Sequence, residues 1–154
     1  MDQSIADTYG NRVRVRACGI SIQGDKLVMV DHQGLADRHF WAPPGGGVDF
    51  GESISNALRR EFLQETGLIV EPRRFLFGCE LIRDPLHAIE LFYSVDISGG
   101  TLRTGSDPEL DIISDVRLLS IDDIRQMPAS QVHGIFSVIT SLRDFNQLSG
   151  FYKL

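Results

Sequence analysis

Two glutamates one helical turn apart, Glu61 and Glu65, carry the strongest chemical signal in this chain. They lie in a segment, residues 54 to 66, whose other residues read as one amphipathic helix. With about 100° of rotation per residue and Ile54 at zero, Leu58 falls at about 40° and Ala57 at about 300°. Those three residues define a face that needs a core. Glu61, at about 340°, and Glu65, at about 20°, fall in the middle of it. Like charges at i and i+4 repel, and burying them uncompensated costs several kcal/mol more. A divalent cation held between them resolves both problems. Oxygen ligands without His or Cys favour Mg²⁺ or Mn²⁺ over zinc.

The helix is expected to start at a cap from Ser53 or Ser55 and to stop at Gly67 in a left-handed position. Upstream, Arg12 to Ala17 alternates polar and apolar residues and continues as strand through Ile22. Gln23-Gly24-Asp25 reads as a turn and Lys26 to Val30 as the returning strand of a hairpin. Residues 33 to 37 form a polar loop, and Phe40 to Pro43 a short extended piece leading into Pro44-Gly45-Gly46-Gly47. Downstream, residues 75 to 82 and 88 to 97 are β-like, Ser98-Gly99-Gly100 is a turn, and residues 104 to 115 are an acidic, exposed loop. Val116 to Leu119 is a strand, followed by a short helix behind a capping box from Ser120. A last helix is expected from Ser130 to Phe145, with Val132, Ile135, Phe136, Ile139 and Leu142 on one stripe. Strands and helices interleave without regular βαβ alternation, so the expected class is α/β (α+β), a mixed sheet flanked by helices in one domain over residues 1–154.

The segment around the glutamates runs Gly46, five residues, Glu52, seven residues, then Arg60-Glu61-Phe62-Leu63-Gln64-Glu65-Thr66-Gly67-Leu68. It resembles the Nudix box, and Trp41 with Pro44-Gly45-Gly46 is similar to that motif's usual lead-in. A long pattern at fixed spacing is far more specific than a lone glycine-rich loop. The resemblance implies an αβα sandwich and metal-dependent hydrolysis of a nucleoside diphosphate linked to another group. It implies Glu61 and Glu65 as metal ligands, the Gly45 carbonyl as another, and Glu52 and Gln64 in supporting positions. Two departures stand out. Phe62 replaces an aliphatic residue, which repacks the helix. Gln64 replaces the first glutamate of a Glu-Glu pair; an amide keeps a carbonyl oxygen but loses the charge, weakening a multi-cation site. A nucleotide-binding or sensing module with weak or lost catalysis is therefore the competing reading. A sanitiser of damaged nucleoside triphosphates is a third, differing only in substrate.

Glycines 45 to 47 let the backbone approach a phosphate or cation closely, which makes Gly46 a substrate-side candidate; a plain flexible connection is the alternative. Glu52 either joins a cation cluster through water or only favours the helix dipole and pairs with Arg60. Arg60 lies at about 240°, off the core face, and reads as a tether to Glu52 within the catalytic segment. The general base is either Glu61 or a carboxylate from a distant loop, for which Glu109 is the candidate and a solvated acid the plain alternative. Glu80 and Glu90, on strands, rank behind it. Arg12, Arg14 and Arg16 share one face of the first strand. They suit phosphate or base recognition, a solvated face or a dimer contact. Trp41, Phe50, Phe92 and Tyr93 are the candidates for stacking on a nucleobase, with most of them core. His32, His39, His87 and His133 show no metal spacing and receive no role, and Pro85 reads as a loop residue.

The net charge of −6 excludes a protein that coats nucleic-acid backbones. Of 15 basic residues only Lys26 and Lys153 are lysine; the rest are arginine, whose planar fork suits phosphate. No apolar run is long enough to span a bilayer, and residues 1 to 10 lack the grammar of a signal peptide. Cys18 and Cys79, both in strand-like segments, read as buried free thiols, with cytoplasmic residence as the default. The implied partners are a small nucleotide-derived substrate, Mg²⁺ or Mn²⁺, and a second copy of the chain, since homodimers are common in the family resembled.

Overall fold

The computed structural model describes residues 1–35 and 38–154. Residues 36 and 37, the end of the polar loop expected after Gln33, lie outside the described residues. Among the described residues, two sheets make up the β-structure. One has the order β5 (Gly45–Gly47), β1 (Val13–Ile20), β7 (Leu86–Gly100), β6 (Leu68–Arg83), β9 (Phe151–Lys153). It is mixed: β1 runs parallel to β7 and antiparallel to β5, while β6 is antiparallel to β7 and parallel to β9. In the other sheet β3 (Lys26–His32) pairs antiparallel with β2 (Ile22–Gln23), β4 (Trp41–Ala42) and β8 (Ile113–Ser120).

Alternation along β1 and β3 builds a core on each side. Leu27 and Met29 join Cys18, Phe77, Phe92 and Phe145 in one cluster. Val28 and Val30 join Ala17, Val95 and the apolar face of α2 (Ile54–Thr66) in the other. The fold is thus a mixed α/β architecture, with α2 on one side and the C-terminal segment on the other. Cys18 and Cys79 are buried free thiols. Among the described residues, no helix is long and apolar enough to cross a membrane.

Helix α2 forms as the sequence predicts. Ser53 caps it by accepting from the Asn56 N–H, and Gly67 ends it at φ 74° with its N–H on the Leu63 carbonyl. Three expectations need correction. The hairpin between β1 and Lys26–Val30 is confined to Ile22–Gln23 against Lys26–Leu27, because β1 leaves to join the other sheet. Ser98 to Gly100 is strand rather than turn: Gly99 and Gly100 pair with Ile69 and Leu68. Gly100 is glycine because a Cβ there would sit 2.2 Å from the Gly67 carbonyl oxygen. The third is the last helix. Val132, Ile135, Ile139 and Leu142 are buried as the stripe predicts, but the backbone forms three separate 3₁₀ turns at Ala129–Gln131, Gly134–Ser137 and Leu142–Asn146. The Asp144 carboxylate accepts from the N–H groups of Thr140 and Ser141, an alternative to helical bonding. Val132 is extended, bridging Trp41.

A short helix, α1 (Gln3–Tyr9), caps itself on Asp2 and buries Ile5 and Tyr9, one turn apart. The loop after β7 is anchored rather than free. The N–H groups of Arg103, Gly105 and Ser106 bond the carbonyls of Thr66, Glu65 and Gln64, satisfying the open end of α2. That anchoring brings Asp107 and Glu109 to the cleft described next.

Candidate active site

Tyr9, Arg14, Arg16, the three glycines of β5, Glu61, Glu65, Glu90, Asp107, Glu109 and His133 line one cleft. Its floor is the helix pair. Glu65 is 3% exposed, and its Oε2 is buried without a hydrogen-bond partner among the described residues. Glu61, one turn earlier, is also largely shielded. Burial pushes the Glu65 carboxyl well up, and the charge of Glu61 adds to the rise. Glu61 is raised too, again by burial, although Arg60 pulls it back. Two carboxylates in this position hold a shared proton or a cation.

The glycine strand is pressed against this pair. A Cβ on Gly46 would lie 2.4 Å from the Glu61 carboxylate, and one on Gly45 would lie 2.4 Å from the Ala17 carbonyl oxygen. Arg60 locks the assembly. Its guanidinium grips both oxygens of Glu52 at 2.8 and 2.9 Å, Glu61 at 2.8 Å and the Gly47 carbonyl at 3.0 Å. It reaches the Gln64 side-chain oxygen at 3.4 Å. The tether read from sequence is therefore present, and it commits both oxygens of Glu52. Neither Glu52 nor Gln64 is on the cleft lining.

Above the glycines the side chains of β1 enter the cleft. Arg16 pairs with Glu90 at 2.5 Å and donates to the Gly45 carbonyl at 3.2 Å. Glu90, 1% exposed, also receives His133 Nε2 at 2.8 Å. The Ile135 N–H donates to His133 Nδ1, which leaves Nε2 as the protonated nitrogen. Burial alone would raise the Glu90 carboxyl; His133 and Arg16 overcome it and hold the group down at about 2. Arg14 is different. Its guanidinium lies 3.9 Å over the Tyr9 ring, and among the described residues no carboxylate reaches it within salt-bridge distance. The Tyr9 hydroxyl in turn donates to Asp107 at 3.2 Å. His32 is driven down to about 4 by burial and then by Arg16, so it is neutral at pH 7.

Of the residues singled out by sequence, Gly45, Gly46, Glu61, Glu65, Arg60, Arg14, Arg16 and Glu109 meet in this cleft. Trp41 does not. It is buried in the main core beneath Arg117, so the structure corrects its assignment as a stacking partner. Arg14 and Arg16 are not on a solvated sheet face, and Glu109, though exposed, is on the cleft lining. Tyr9 and His133 were missed as site residues, and Glu90 was ranked only as a remote candidate base. For Glu90 the signal existed, because Ala88, Glu90 and Phe92 alternate inward and a carboxylate in such a row needs a partner.

A model of the NUDIX domain matches residues 11–139 of the chain. The chain belongs to the NUDIX family. Within it, the ADP-ribose pyrophosphatase of Methanocaldococcus jannaschii is 33% identical over 91 residues, covering 58% of this chain and 54% of that protein. The chain thus spans about half the length of that relative. Solved structures share the NUDIX fold. A NUDIX hydrolase from Nitrosomonas europaea superposes with a TM-score of 0.70 at 21% identity, covering 88% of this chain and 89% of its own. A UDP-X diphosphatase gives a TM-score of 0.70 at 16% identity over 99% and 75%. An ADP-ribose pyrophosphatase from Streptococcus suis gives 0.61 at 18% over 90% and 98%.

The donors fit the divalent cation that the family implies. They are all oxygens, two carboxylates lie one turn apart, and one of their buried oxygens is otherwise orphaned. Among the described residues no cluster of three or more His, Cys, Asp or Glu forms a ready-made metal cage. Further ligands to such a cation would come from backbone carbonyls, substrate or water, as is usual for Mg²⁺.

Proposed function

We propose that this NUDIX domain, acting as one unit over residues 1–154, is a divalent-metal-dependent pyrophosphohydrolase of small nucleotide-derived molecules. The substrate class is a nucleoside diphosphate joined to a second group. The orphaned, buried oxygen of Glu65 beside Glu61 is the observation that carries this reading, because it leaves a negative site that only a proton or a cation satisfies. The names ADP-ribose pyrophosphatase and UDP-X diphosphatase, borne by a relative and a structural neighbour, support the substrate class.

Glu61, Glu65 and the Gly45 carbonyl would hold Mg²⁺ or Mn²⁺, with Glu52 and Gln64 in outer positions. The metal would supply charge neutralisation at the pyrophosphate oxygens and a water of lowered pKa. Arg60 fixes the glycine strand to the helix, so the ligands are set before substrate arrives. Gly46 keeps the surface beside Glu61 free of side chain. Arg14, 3.9 Å over the Tyr9 ring and without a carboxylate partner among the described residues, binds a substrate phosphate. Glu109, exposed on the cleft rim, accepts the proton of the attacking water; Glu61 has its charge engaged by Arg60. Free buried thiols at Cys18 and Cys79 suit a reducing compartment, which makes the cytoplasm the proposed location.

The test is a panel of ADP-ribose, nucleotide sugars and nucleoside triphosphates with Mg²⁺ or Mn²⁺, followed by product analysis. Two monophosphate products from ADP-ribose or a nucleotide sugar support the reading. Pyrophosphate released from triphosphates points instead to the sanitiser. Tight binding without turnover under both metals overturns hydrolysis in favour of the sensing module that Gln64 suggests. On the substrate that turns over best, Arg14→Gln raises KM by about 10–100-fold with kcat little changed, because one charge-assisted contact to phosphate is lost. An unchanged KM removes Arg14 from the phosphate site.

A further inference from the structure

Tyr9 meets two different parts of the proposed machinery with two chemically different ends. It closes α1, and only Gly10-Asn11-Arg12 separates it from β1. Asn11 takes a left-handed φ of 57° there, which turns the chain and brings the helix end to Arg14. The segment is pinned on both sides. The Asp2 N–H donates to the Gly34 carbonyl, the Asn11 N–H donates to the Pro85 carbonyl, and Ile5 between them is fully buried. Tyr9 is left 6% exposed. Its ring lies under the Arg14 guanidinium, whose Nη2 reaches Gly47: a Cβ there would come within 3.1 Å of it. Its hydroxyl donates to one oxygen of Asp107. The other Asp107 oxygen accepts from the N–H groups of Glu109 and Leu110 at 2.8 and 3.4 Å, an Asx turn that sets the Glu109 backbone on the cleft rim.

We propose that Tyr9 is a positioning residue for both halves of the reaction: its ring is the platform that holds the Arg14 guanidinium open to phosphate, and its hydroxyl ties down the loop that presents Glu109. This rests on the roles proposed above for Arg14 and Glu109. A guanidinium laid over an aromatic face keeps its N–H edges outward, where a phosphate can take two of them. With one oxygen on Tyr9 and the other in its own turn, Asp107 is directed to the loop rather than to Arg14. Phenylalanine would supply the platform alone. The loop would then be held by the main-chain bonds of Arg103, Gly105 and Ser106, which stop short of Asp107. Burial, and then Asp107 and Glu109, push the Tyr9 phenol up, so it remains a donor at neutral pH. One rigid ring thus fixes the phosphate-binding group and the proton acceptor relative to each other before substrate arrives.

Substitution separates the two ends. On the substrate that turns over best, Tyr9→Phe keeps the platform and loses the tether, so kcat falls about tenfold with KM within about twofold, the loss of one hydrogen bond to a charged acceptor. Tyr9→Leu loses both, and KM also rises about tenfold because the guanidinium loses the face that orders it. Double-mutant cycles distinguish this from packing. In an Arg14→Gln background Tyr9→Leu no longer raises KM, and in a Glu109→Gln background Tyr9→Phe no longer lowers kcat. If the single substitutions only lower Tm and move KM and kcat together, or if their effects persist in full in those backgrounds, Tyr9 is packing and the proposal fails. Titration calorimetry with Mg²⁺ and inorganic pyrophosphate needs no turnover, so it keeps this outcome apart from a failure of the hydrolase reading. A wild type that binds pyrophosphate but hydrolyses no nucleotide ends that reading, while a Kd about tenfold weaker in Tyr9→Leu and unchanged in Tyr9→Phe still upholds the platform. Equal affinities in all three proteins, or no pyrophosphate binding by the wild type, overturn it.

Discussion

Glu65→Gln lowers kcat/KM by about 10³-fold while making the metal-free protein more stable. The loss follows from the proposed role of Glu65 at the base of a cation seat, because without its charge the pair would hold the metal that neutralises the pyrophosphate only weakly. The gain in stability has a separate cause. Burial and the neighbouring Glu61 raise the Glu65 carboxyl well above its ordinary value of 4.5. An acid whose pKa is raised on folding opposes folding once it is ionised, so at neutral pH this pair works against the fold. The amide removes that opposing charge, so metal-free Glu65→Gln melts above the metal-free wild type at neutral pH. The sign also fixes the pH dependence. In metal-free wild type, Tm rises as pH falls from neutral toward 4.5, because the raised carboxyls take up protons that the unfolded chain does not yet bind. Glu65→Gln flattens that rise, and saturating Mg²⁺ stabilises the wild type but not the variant. Scanning calorimetry with and without metal reads all three effects. If the variant keeps wild-type turnover, or if Mg²⁺ raises both melting points equally, the cation is not held at this pair.

The core of this site was legible in the sequence because an α-helix has a rigid period. Glu61 and Glu65 on an apolar stripe, Ser53 and Gly67 as caps, and Arg60 facing back toward Glu52 all follow from 3.6 residues per turn and local side-chain chemistry. Strands carry less information, since a period of two states which residues share a face but not which strand lies alongside. Glu90 and His133 are 43 residues apart and meet only because the C-terminal segment folds back over the sheet. No local signal announces that meeting. The same segment shows burial and backbone parting company. Val132, Ile135, Ile139 and Leu142 are spaced for a helix and buried as one would be, yet Asp144 and the hydroxyl residues before it divert the hydrogen bonds. Arg14 and Arg16 were flagged by their types, but the setting of Arg14 depends on Tyr9 from an N-terminal helix that a polar decapeptide did not suggest.

Glu90→Ala costs about 3–5 kcal/mol of folding stability, the largest effect expected from any single change in this cleft. The carboxylate is buried with both oxygens in use, one on Arg16 and one on His133. Removing it leaves the Arg16 charge and the His133 Nε2–H without their partner in a site that water barely reaches. Glu90→Gln keeps an acceptor for one neighbour and costs less, but Arg16 still loses its counter-charge. The pH profile separates this network from the helix pair. Glu90 is held at about 2 in the fold against an ordinary value of 4.5, so its contribution is complete above 4.5 and disappears as pH falls toward 2. The two sites thus act in opposite directions as pH falls. Acidification from neutral first relieves Glu61 and Glu65, and only then breaks the Glu90 network. Urea unfolding of wild type and Glu90→Gln at a series of pH values should show their stabilities converging below 4.5. Activity should fall in both variants even where they are folded, because Arg16 also carries the Gly45 carbonyl and loses its anchor. A Glu90→Ala protein within about 1 kcal/mol of wild type would mean that Arg16 finds solvent or another acid, and the Gly45 carbonyl would then owe its position to Arg60 and the strand pairing alone.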